Sequence, residues 1–209
     1  MTQRRLFVAV SVLVWLAILA IGIKVTFDRV SVPPWGNPAR DAEPIELAGD
    51  RRVGQQFTAP WPGLYRIEVG LDRGSASDNE EIVFHLKNSP TDNRDLWTAT
   101  FKAEEIEDQA AYRFEFLPFH DSKGQPFYFY LESAESAPGD AIAVYYSRGV
   151  ILPGASAYLD DQPVGGNLQF HTFYTLRTRD KVDALLTKMA AGRPYFLGSK
   201  GFYVGLAAL

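Results

Sequence analysis

The fold is decided by GLYRIEV, residues 63–69, where an apolar face that begins at Tyr65 alternates with the charged pair Arg66 and Glu68. Side chains of a β-strand point alternately to its two faces, so this pattern predicts a strand with one buried and one solvated face. The same alternation recurs in YRFEF at residues 112–116. Two such faces predict an antiparallel β-sandwich, in which the apolar sides of two sheets meet.

Short alternating runs bounded by Gly, Pro, Asn and Asp continue on both sides of this stretch. They predict about eight strands, with the first run the least regular. The runs are residues 45–48, 55–59, 64–71, 82–87, 96–102, 112–117, 126–133, 141–147 and 167–174. We therefore expect one all-β domain over residues 45–176, an antiparallel β-sandwich of jelly-roll-like type.

The N-terminus carries an apolar run of eighteen uncharged residues, LFVAVSVLVWLAILAIGI at 6–23. About 20 apolar residues are needed to cross a bilayer as a helix, so the run predicts a transmembrane anchor within residues 1–29. Arg4 and Arg5 precede it, which places the N-terminus in the cytoplasm and the main domain outside. A cleaved signal peptide is the alternative, but its apolar core is usually only ~7–15 residues long and no A-x-A site follows here.

Four residues of this run, Ser11, Trp15, Ile18 and Gly22, share one helical face. Small and large side chains on one face favour packing against another transmembrane helix, although chance placement of a single Trp is the alternative. After the anchor, residues 30–44 contain four prolines, which predict an extended spacer. We expect folding to begin near Ile45.

Residues 177–209 predict a short amphipathic helix followed by an apolar tail. Asp180 is a suitable N-cap, and Gly192 with Pro194 ends the helix. This segment holds six basic and two acidic residues, so we expect it to lie at the membrane interface. One alternative is a helix packed on the sandwich, and another is that the tail opens a second transmembrane helix.

Composition excludes several classes of function. The chain has no cysteine, which excludes thiolate chemistry and zinc fingers. Residues 30–176 hold eleven basic and twenty-two acidic residues, a balance that disfavours nucleic acid as a partner. The basic ends of the chain instead favour a membrane surface.

Two stretches carry a family resemblance: GQQFTAPWPGLYRIEV at 54–69 and AYRFEFLPFHDSKGQPFYFYL at 111–131. They resemble the extracytoplasmic β-sandwich domains of bacterial multi-spanning membrane proteins, some of which are described as glycosyltransferases. Such domains are similar in fold to carbohydrate-binding modules. The resemblance implies a location at the bacterial cytoplasmic membrane, with the sandwich periplasmic or extracellular.

Catalytic motifs are missing from the sequence: it has no G-x-S-x-G, Walker or H-E-x-x-H pattern. Only paired carboxylates could support catalysis, as in a glycosidase, and solvated loop charge is the more frequent reason for such residues. We therefore expect no enzyme and no cofactor. One loop could supply hard oxygen ligands to a structural calcium ion through Asp72, Asp78, Asn79 and Glu80.

Aromatic residues give the sequence its binding candidates, because Tyr and Trp combine an apolar face with a polar edge. An outward platform on the strands would consist of Tyr128, Tyr130 and Tyr145, with Trp61 and Trp97 beside it. Burial of both faces of the strand is the alternative reading.

Three functions follow in order of preference. The first is a non-catalytic, membrane-anchored accessory subunit of a larger membrane complex, with integral membrane proteins as partners. The second is a carbohydrate-binding module at the cell envelope, with a glycan as ligand. A glycosidase comes third.

Overall fold

The computed structural model describes residues 35–107, 111–133, 136–149 and 152–177, together with residues 15, 180, 181, 199 and 201. The chain divides into two compact units, one of residues 32–175 and the other of residues 1–31 with 176–209. The strands of the first unit are antiparallel, which confirms the prediction of an all-β, sandwich-like fold.

The described residues form fourteen strands and one short 3₁₀ turn at Ala103–Glu105. The strands are β1 Trp35–Asn37, β2 Ile45–Glu46, β3 Arg52–Thr58, β4 Leu64–Asp72, β5 Glu81–Lys87, β6 Trp97–Lys102, β7 Ala111–Phe119, β8 Pro126–Glu132, β9 Ala143–Val144, β10 Tyr146–Ser147, β11 Ser156–Leu159, β12 Gln162–Pro163, β13 Asn167–Leu168 and β14 Phe170–Tyr174.

Two sheets and one small ribbon organise these strands. The first sheet has the order β1-β14-β4-β9-β2, with β7 on the other side of β4; we refer to it as the β4 sheet. The second has the order β12-β11-β3-β8-β5-β6 and is referred to as the β8 sheet. The ribbon is the pair β10 and β13. Strand β8 is therefore central in its sheet, whereas β7 lies at an edge.

Aromatic rings from both sheets meet in the core. Phe84 of β5 stacks on Phe114 of β7 with ring centroids 3.9 Å apart. Phe170 of β14 lies 5.7 Å from Phe57 of β3 and 5.8 Å from Phe129 of β8. Each buried ring removes a large apolar area from water, so these contacts hold the two sheets together.

Strand β4 departs from simple alternation in its first three residues. Against β14 the register shifts between Phe173 and Tyr174, where Tyr65 is an extra residue of β4, so the strand contains a bulge there. Against β7 the register shifts at the same place, with residues 116–118 of β7 opposite Tyr65. Leu64 is fully buried and Tyr65 only half-buried. The apolar face therefore begins with Leu64, and Ile67 and Val69 continue it as the alternation predicted.

Strand β1 is a difference from the sequence analysis, because it lies within the expected spacer at residues 30–44 and pairs with β14. Asn37 at its end is fully buried and donates from Nδ2 to the carbonyl of Leu168 at 3.1 Å. The folded domain therefore starts before Ile45. The strand predicted over residues 141–147 is also divided, because β9 and β10 pair with different partners.

The predicted membrane elements fall mostly outside the described residues. Residues 6–23 are described only at Trp15, which is helical, and residues 177–209 only at 177, 180, 181, 199 and 201. Within the part of the chain that the structure describes, no helix has the length and apolar character needed to cross a membrane.

Candidate functional site

The outer face of the β8 sheet is where the predicted aromatic platform falls. Across the strands, Tyr158, Gly54, Tyr130 and His85 stand opposite one another in a row. Tyr128 and Tyr130 both occupy outward positions on β8, yet their side chains are 0% and 5% exposed. These two rings are therefore closed to a ligand that would stack on them.

Gly54 allows the ring of Tyr128 to lie flat across the neighbouring strand. A Cβ atom at position 54 would lie 2.5 Å from Oη and 2.7 Å from Cζ of Tyr128, closer than side chains approach one another. Tyr158 covers the same ring edge-on, with centroids 5.3 Å apart. A glycine in a strand interior is typical of such a close approach.

Tyr130 is covered by residues of both neighbouring strands, β5 and β3. His85 stacks on it almost in parallel, with centroids 4.4 Å apart and an interplanar angle of 2°. The cations of Lys87 and Arg52 lie 5.0 Å and 5.5 Å from the centre of the ring. Long polar side chains thus place their stems and charges over the ring and seal this face.

Ion pairs connect the covering side chains. Arg52 Nε lies 2.8 Å from Glu132 Oε2, and its Nη1 lies 3.2 Å from Asp161 Oδ2. Asp161 also accepts a hydrogen bond from Tyr128 Oη at 3.3 Å. His85 Nδ1 lies 3.0 Å from Asp95 Oδ2. These contacts join β3 and β8 to the turn between β11 and β12, and β5 to the loop before β6.

The phenols of this face stay protonated at neutral pH. Burial raises the pKa of Tyr130 to about 12, with the negative charge of Glu132 as the second cause. Burial also raises the pKa of Tyr128, and the charge of Asp161 acts in the same direction. Both hydroxyls therefore keep their protons, and that of Tyr128 donates to Asp161.

The other predicted aromatic residues do not join this face. Trp97 lies on the inner side of β6, with its ring 5.8 Å from Phe84. Trp61 is half-buried against the core in the loop before β4. Tyr145 lies between β9 and β10 with Arg40 5.2 Å over its ring, and burial raises its pKa. The five residues therefore form no common platform.

The loop with the calcium candidates uses its side chains in other contacts. Asp78 pairs with Arg73, and Asn79 Oδ1 accepts from Lys102 Nζ at 3.4 Å. Asp72 Oδ1 accepts from the backbone amide of Gly74 at 3.1 Å. Among the described residues, no three His, Asp or Glu side chains lie close enough to hold a metal ion. A calcium ion at this loop stays a prediction.

Glu80 differs from its loop neighbours because it is only 6% exposed. Its carboxylate faces Ser133, Ser136 and the backbone of Ile142. Burial raises the pKa of Glu80, and this effect exceeds the opposite effect of the two serines. The side chain is a buried acid whose ionisation opposes folding.

The outer face of the β4 sheet, which the sequence analysis did not single out, is exposed along β7. Arg113 Nε lies 3.2 Å from Glu68 Oε1, and Arg66 Nη1 lies 3.5 Å from Glu115 Oε1. Leu117 on β7 is 87% exposed. The alternation of β7 signalled this face, but the sequence alone did not show that β7 lies at an edge.

A cleft of about 480 Å³ opens beside β2, β10 and β11. Tyr146 contributes one wall, and its hydroxyl donates to the carbonyl of Gly165 at 2.7 Å. The lining residues are Glu43, Ile45, Tyr146, Arg148, Leu159, Val164, Gly165 and Gly166. The cleft combines one acidic and one basic side chain and contains none of the residues predicted to bind.

Comparison with protein-family models and with curated proteins finds no match to this chain. The similarity to extracytoplasmic carbohydrate-binding-like domains therefore rests on the sequence motifs at 54–69 and 111–131 and stays a prediction.

Proposed function

We propose that this chain is a non-catalytic, membrane-anchored accessory subunit of a larger membrane protein complex. Its N-terminal helix, residues 6–23, binds other integral membrane proteins, and its jelly-roll-like sandwich lies outside the cytoplasm of a bacterial cell. The basic segment 177–209 lies at the membrane interface. No catalytic step is assigned to the sandwich.

The observation that carries the proposal is the exposure of Trp15. This residue is helical and its side chain is 71% exposed, in the middle of an uncharged run of eighteen residues. An indole N–H needs a hydrogen-bond acceptor, and hydrocarbon offers none. A neighbouring helix that presents an acceptor to Trp15 would satisfy the indole and cover its ring.

The division of the chain into two compact units supports the same interpretation. Residues 1–31 and 176–209 belong to one compact unit, separate from the sandwich. At the start of the C-terminal segment, the amide of Lys181 donates to the carbonyl of Arg177 at 2.9 Å, which is the bond of a helical turn. A unit separate from the sandwich is what an anchor at residues 1–29 with the segment 177–209 at the membrane interface requires.

Burial of Tyr128 and Tyr130 favours the accessory subunit over the carbohydrate-binding module. Sugar rings bind to exposed aromatic faces, and these two faces are covered by His85, Lys87 and Arg52. Ion pairs connect the side chains that cover them. A covered face of this kind fits a domain that contacts proteins better than one that stacks on glycans.

The test is extraction of the full chain from native membranes in mild detergent, followed by sizing and mass spectrometry of the proteins that co-migrate. We expect stoichiometric membrane partners with the wild-type chain. Trp15→Ala should release them, and Trp15→Phe, which keeps a ring but removes the N–H, should weaken the complex to an intermediate degree.

Leu13→Ala is the matched control, because it removes a similar apolar side chain from the opposite helical face of the same run. It should leave the complex intact. A wild-type particle that contains this chain alone, or equal losses in Trp15→Ala and Leu13→Ala, would contradict the proposal.

A further inference from the structure

Strand β7 is a long edge strand with an open outer face. Among the described strands it pairs only with β4. Its residues Ala111, Arg113, Glu115 and Leu117 are all exposed, and Leu117 reaches 87%. An exposed edge of this length presents unpaired backbone groups that can accept another strand.

The free backbone groups of β7 can be assigned from the neighbouring strand. The amide of Gly70 donates to Gln169 at 2.8 Å, and its carbonyl accepts from Tyr145 at 3.0 Å, both on the side of β4 away from β7. Backbone groups alternate in direction along a strand, so those of Ile67 point toward β7. Ile67 stands opposite Phe114 in the register.

Phe114 therefore directs its amide and carbonyl toward β4, and its neighbours direct theirs away. The backbone groups of Arg113 and Glu115 point to the open edge, and by the same alternation so do those of Ala111. These three residues are all exposed, so backbone and side chains offer the same positions to an incoming strand. Leu117 lies beyond the register shift that follows Glu115, and it adds an exposed side chain at the end of the strand.

We propose that β7 pairs with β7 of a second copy of this chain, antiparallel and centred on Phe114. In this register Arg113 stands opposite Glu115 of the second copy, and Ala111 opposite Leu117 of the second copy. The pairing is two-fold symmetric, so every contact occurs twice. It joins the two β4 sheets into one continuous sheet.

Charge complementarity selects this occupant. Within one chain, Glu68 pairs with Arg113 and Arg66 with Glu115 across β4 and β7. Self-pairing extends these pairs into rows of alternating sign that run Glu68, Arg113, Glu115 and Arg66 across the four strands. Opposite charges directly across strands stabilise an antiparallel pair, whereas like charges destabilise it.

The ends of the strand fit the same register. Residues 111–117 form a span of seven residues with Phe114 at its centre. Leu117, the most exposed large apolar residue among those described, would gain cover beside Ala111 of the second copy. This inference does not depend on the proposed function.

Cysteine cross-linking in the full chain tests the register, because the natural sequence has no cysteine. Chains with Arg113→Cys and chains with Glu115→Cys, carrying different tags, are expressed together and oxidised mildly in membranes. Residues directly opposite have Cα atoms about 5.5 Å apart, within disulfide range, whereas diagonal neighbours lie about 7–8 Å apart. We expect a disulfide between the two tags and little within either tag.

The matched control places the same substitutions on the edge strand of the other sheet, as Thr98→Cys with Thr100→Cys. These residues are also exposed and also two positions apart. They should not cross-link. Equal cross-linking in both pairs, or none in either, would overturn the proposal, as would a β7 disulfide to another protein.

Charge exchange gives a second measurement without cysteine. Arg113→Glu or Glu115→Arg alone creates two like-charge pairs between copies, which should weaken self-association by about tenfold. A mixture of the two variants restores opposite charges at both positions and should recover most of the association. Unchanged self-association of the single variants, or a mixture as weak as they are, would show that the edge does not pair in this register.

Discussion

Strands β8 and β7 have similar sequence patterns, but the outward side chains of β8 are buried and those of β7 are exposed. In both strands phenylalanines alternate with other side chains and point into the core. The alternate positions are mainly charged in β7 and are tyrosines in β8. On β8 the outward residues Tyr128 and Tyr130 are buried, whereas on β7 the outward residues Arg113 and Leu117 are exposed. The difference comes from position: β8 has neighbours on both sides and β7 has one.

The comparison shows that exposure on the outer face of a sheet is set by the neighbouring strands. Tyr128 is covered because Gly54 leaves it room and Tyr158 stands beside it. Leu117 has no neighbour on its open side among the described strands. Side-chain alternation specifies which residues face outward, but the adjacent strands decide whether they meet water.

Truncation of one outward side chain on each strand should give the largest difference in the free energy of unfolding. Tyr128→Ala removes a fully buried ring and should destabilise the sandwich by roughly 3–5 kcal/mol, as for other large aromatic residues. Leu117→Ala removes a side chain exposed to solvent and should change the free energy of unfolding by about 0.5 kcal/mol or less. Chemical denaturation of the full chain in detergent, followed by circular dichroism, measures both.

Tyr128→Phe is the control for the hydrogen bond to Asp161 and should cost about 1 kcal/mol. Similar losses in Tyr128→Ala and Leu117→Ala would mean that the outer face of the β8 sheet is not closed.

Added bulk at Gly54 should show how closely the outer face of the β8 sheet is packed. Gly54→Ala places a methyl group against the ring of Tyr128 and should destabilise the domain by about 1–3 kcal/mol. Because the clash is with one ring, the same substitution in a Tyr128→Ala background should cost much less. A double-mutant cycle measured by denaturation tests this coupling, and additive losses would argue against the contact.

The smallest effect concerns the buried Glu80 at the end of the loop before β5. Its folded pKa is raised by burial, so its stabilising contribution is present below the unfolded value near 4.5 and is lost as pH rises through the folded value. Glu80→Gln should therefore raise the melting temperature at pH 7 and have little effect near pH 4.

The exposed neighbour Glu81 provides the control for this pH series. Glu81→Gln removes the same charge and should change stability by about 0.5 kcal/mol or less. Thermal unfolding of both variants across the pH range is the measurement. A melting temperature of Glu80→Gln that falls at pH 7 would show that the carboxylate has a stabilising partner.

The sequence predicted the long strands well because each has its own alternation. The run at residues 64–71 corresponds to β4, and the run at 126–133 to β8. Short strands were missed when their pairing depends on distant partners. Strand β1 lies between prolines and has no periodicity, and it is a strand because β14 lies beside it.

The hairpin of β11 and β12 was not predicted, although its turn residues indicate it locally. Asp160 and Asp161 have positive φ angles of 50° and 61°, the conformation of a two-residue type I′ turn. Asp tolerates this conformation, but without a glycine the pair did not stand out in the sequence. The network around Tyr128 could not be predicted either, because Arg52 and Asp161 come together only through the pairing of β3 with β11.

The pairing of β1 with β14 joins Trp35 to Thr172, near the two ends of the sandwich sequence. Strands β3 and β8, and β3 and β11, also pair across long stretches of chain. Contacts between distant residues form slowly, because the intervening chain must first lose its freedom. The β4 sheet therefore cannot be completed until almost the whole domain has been synthesised, and until then its aromatic strands need protection from aggregation.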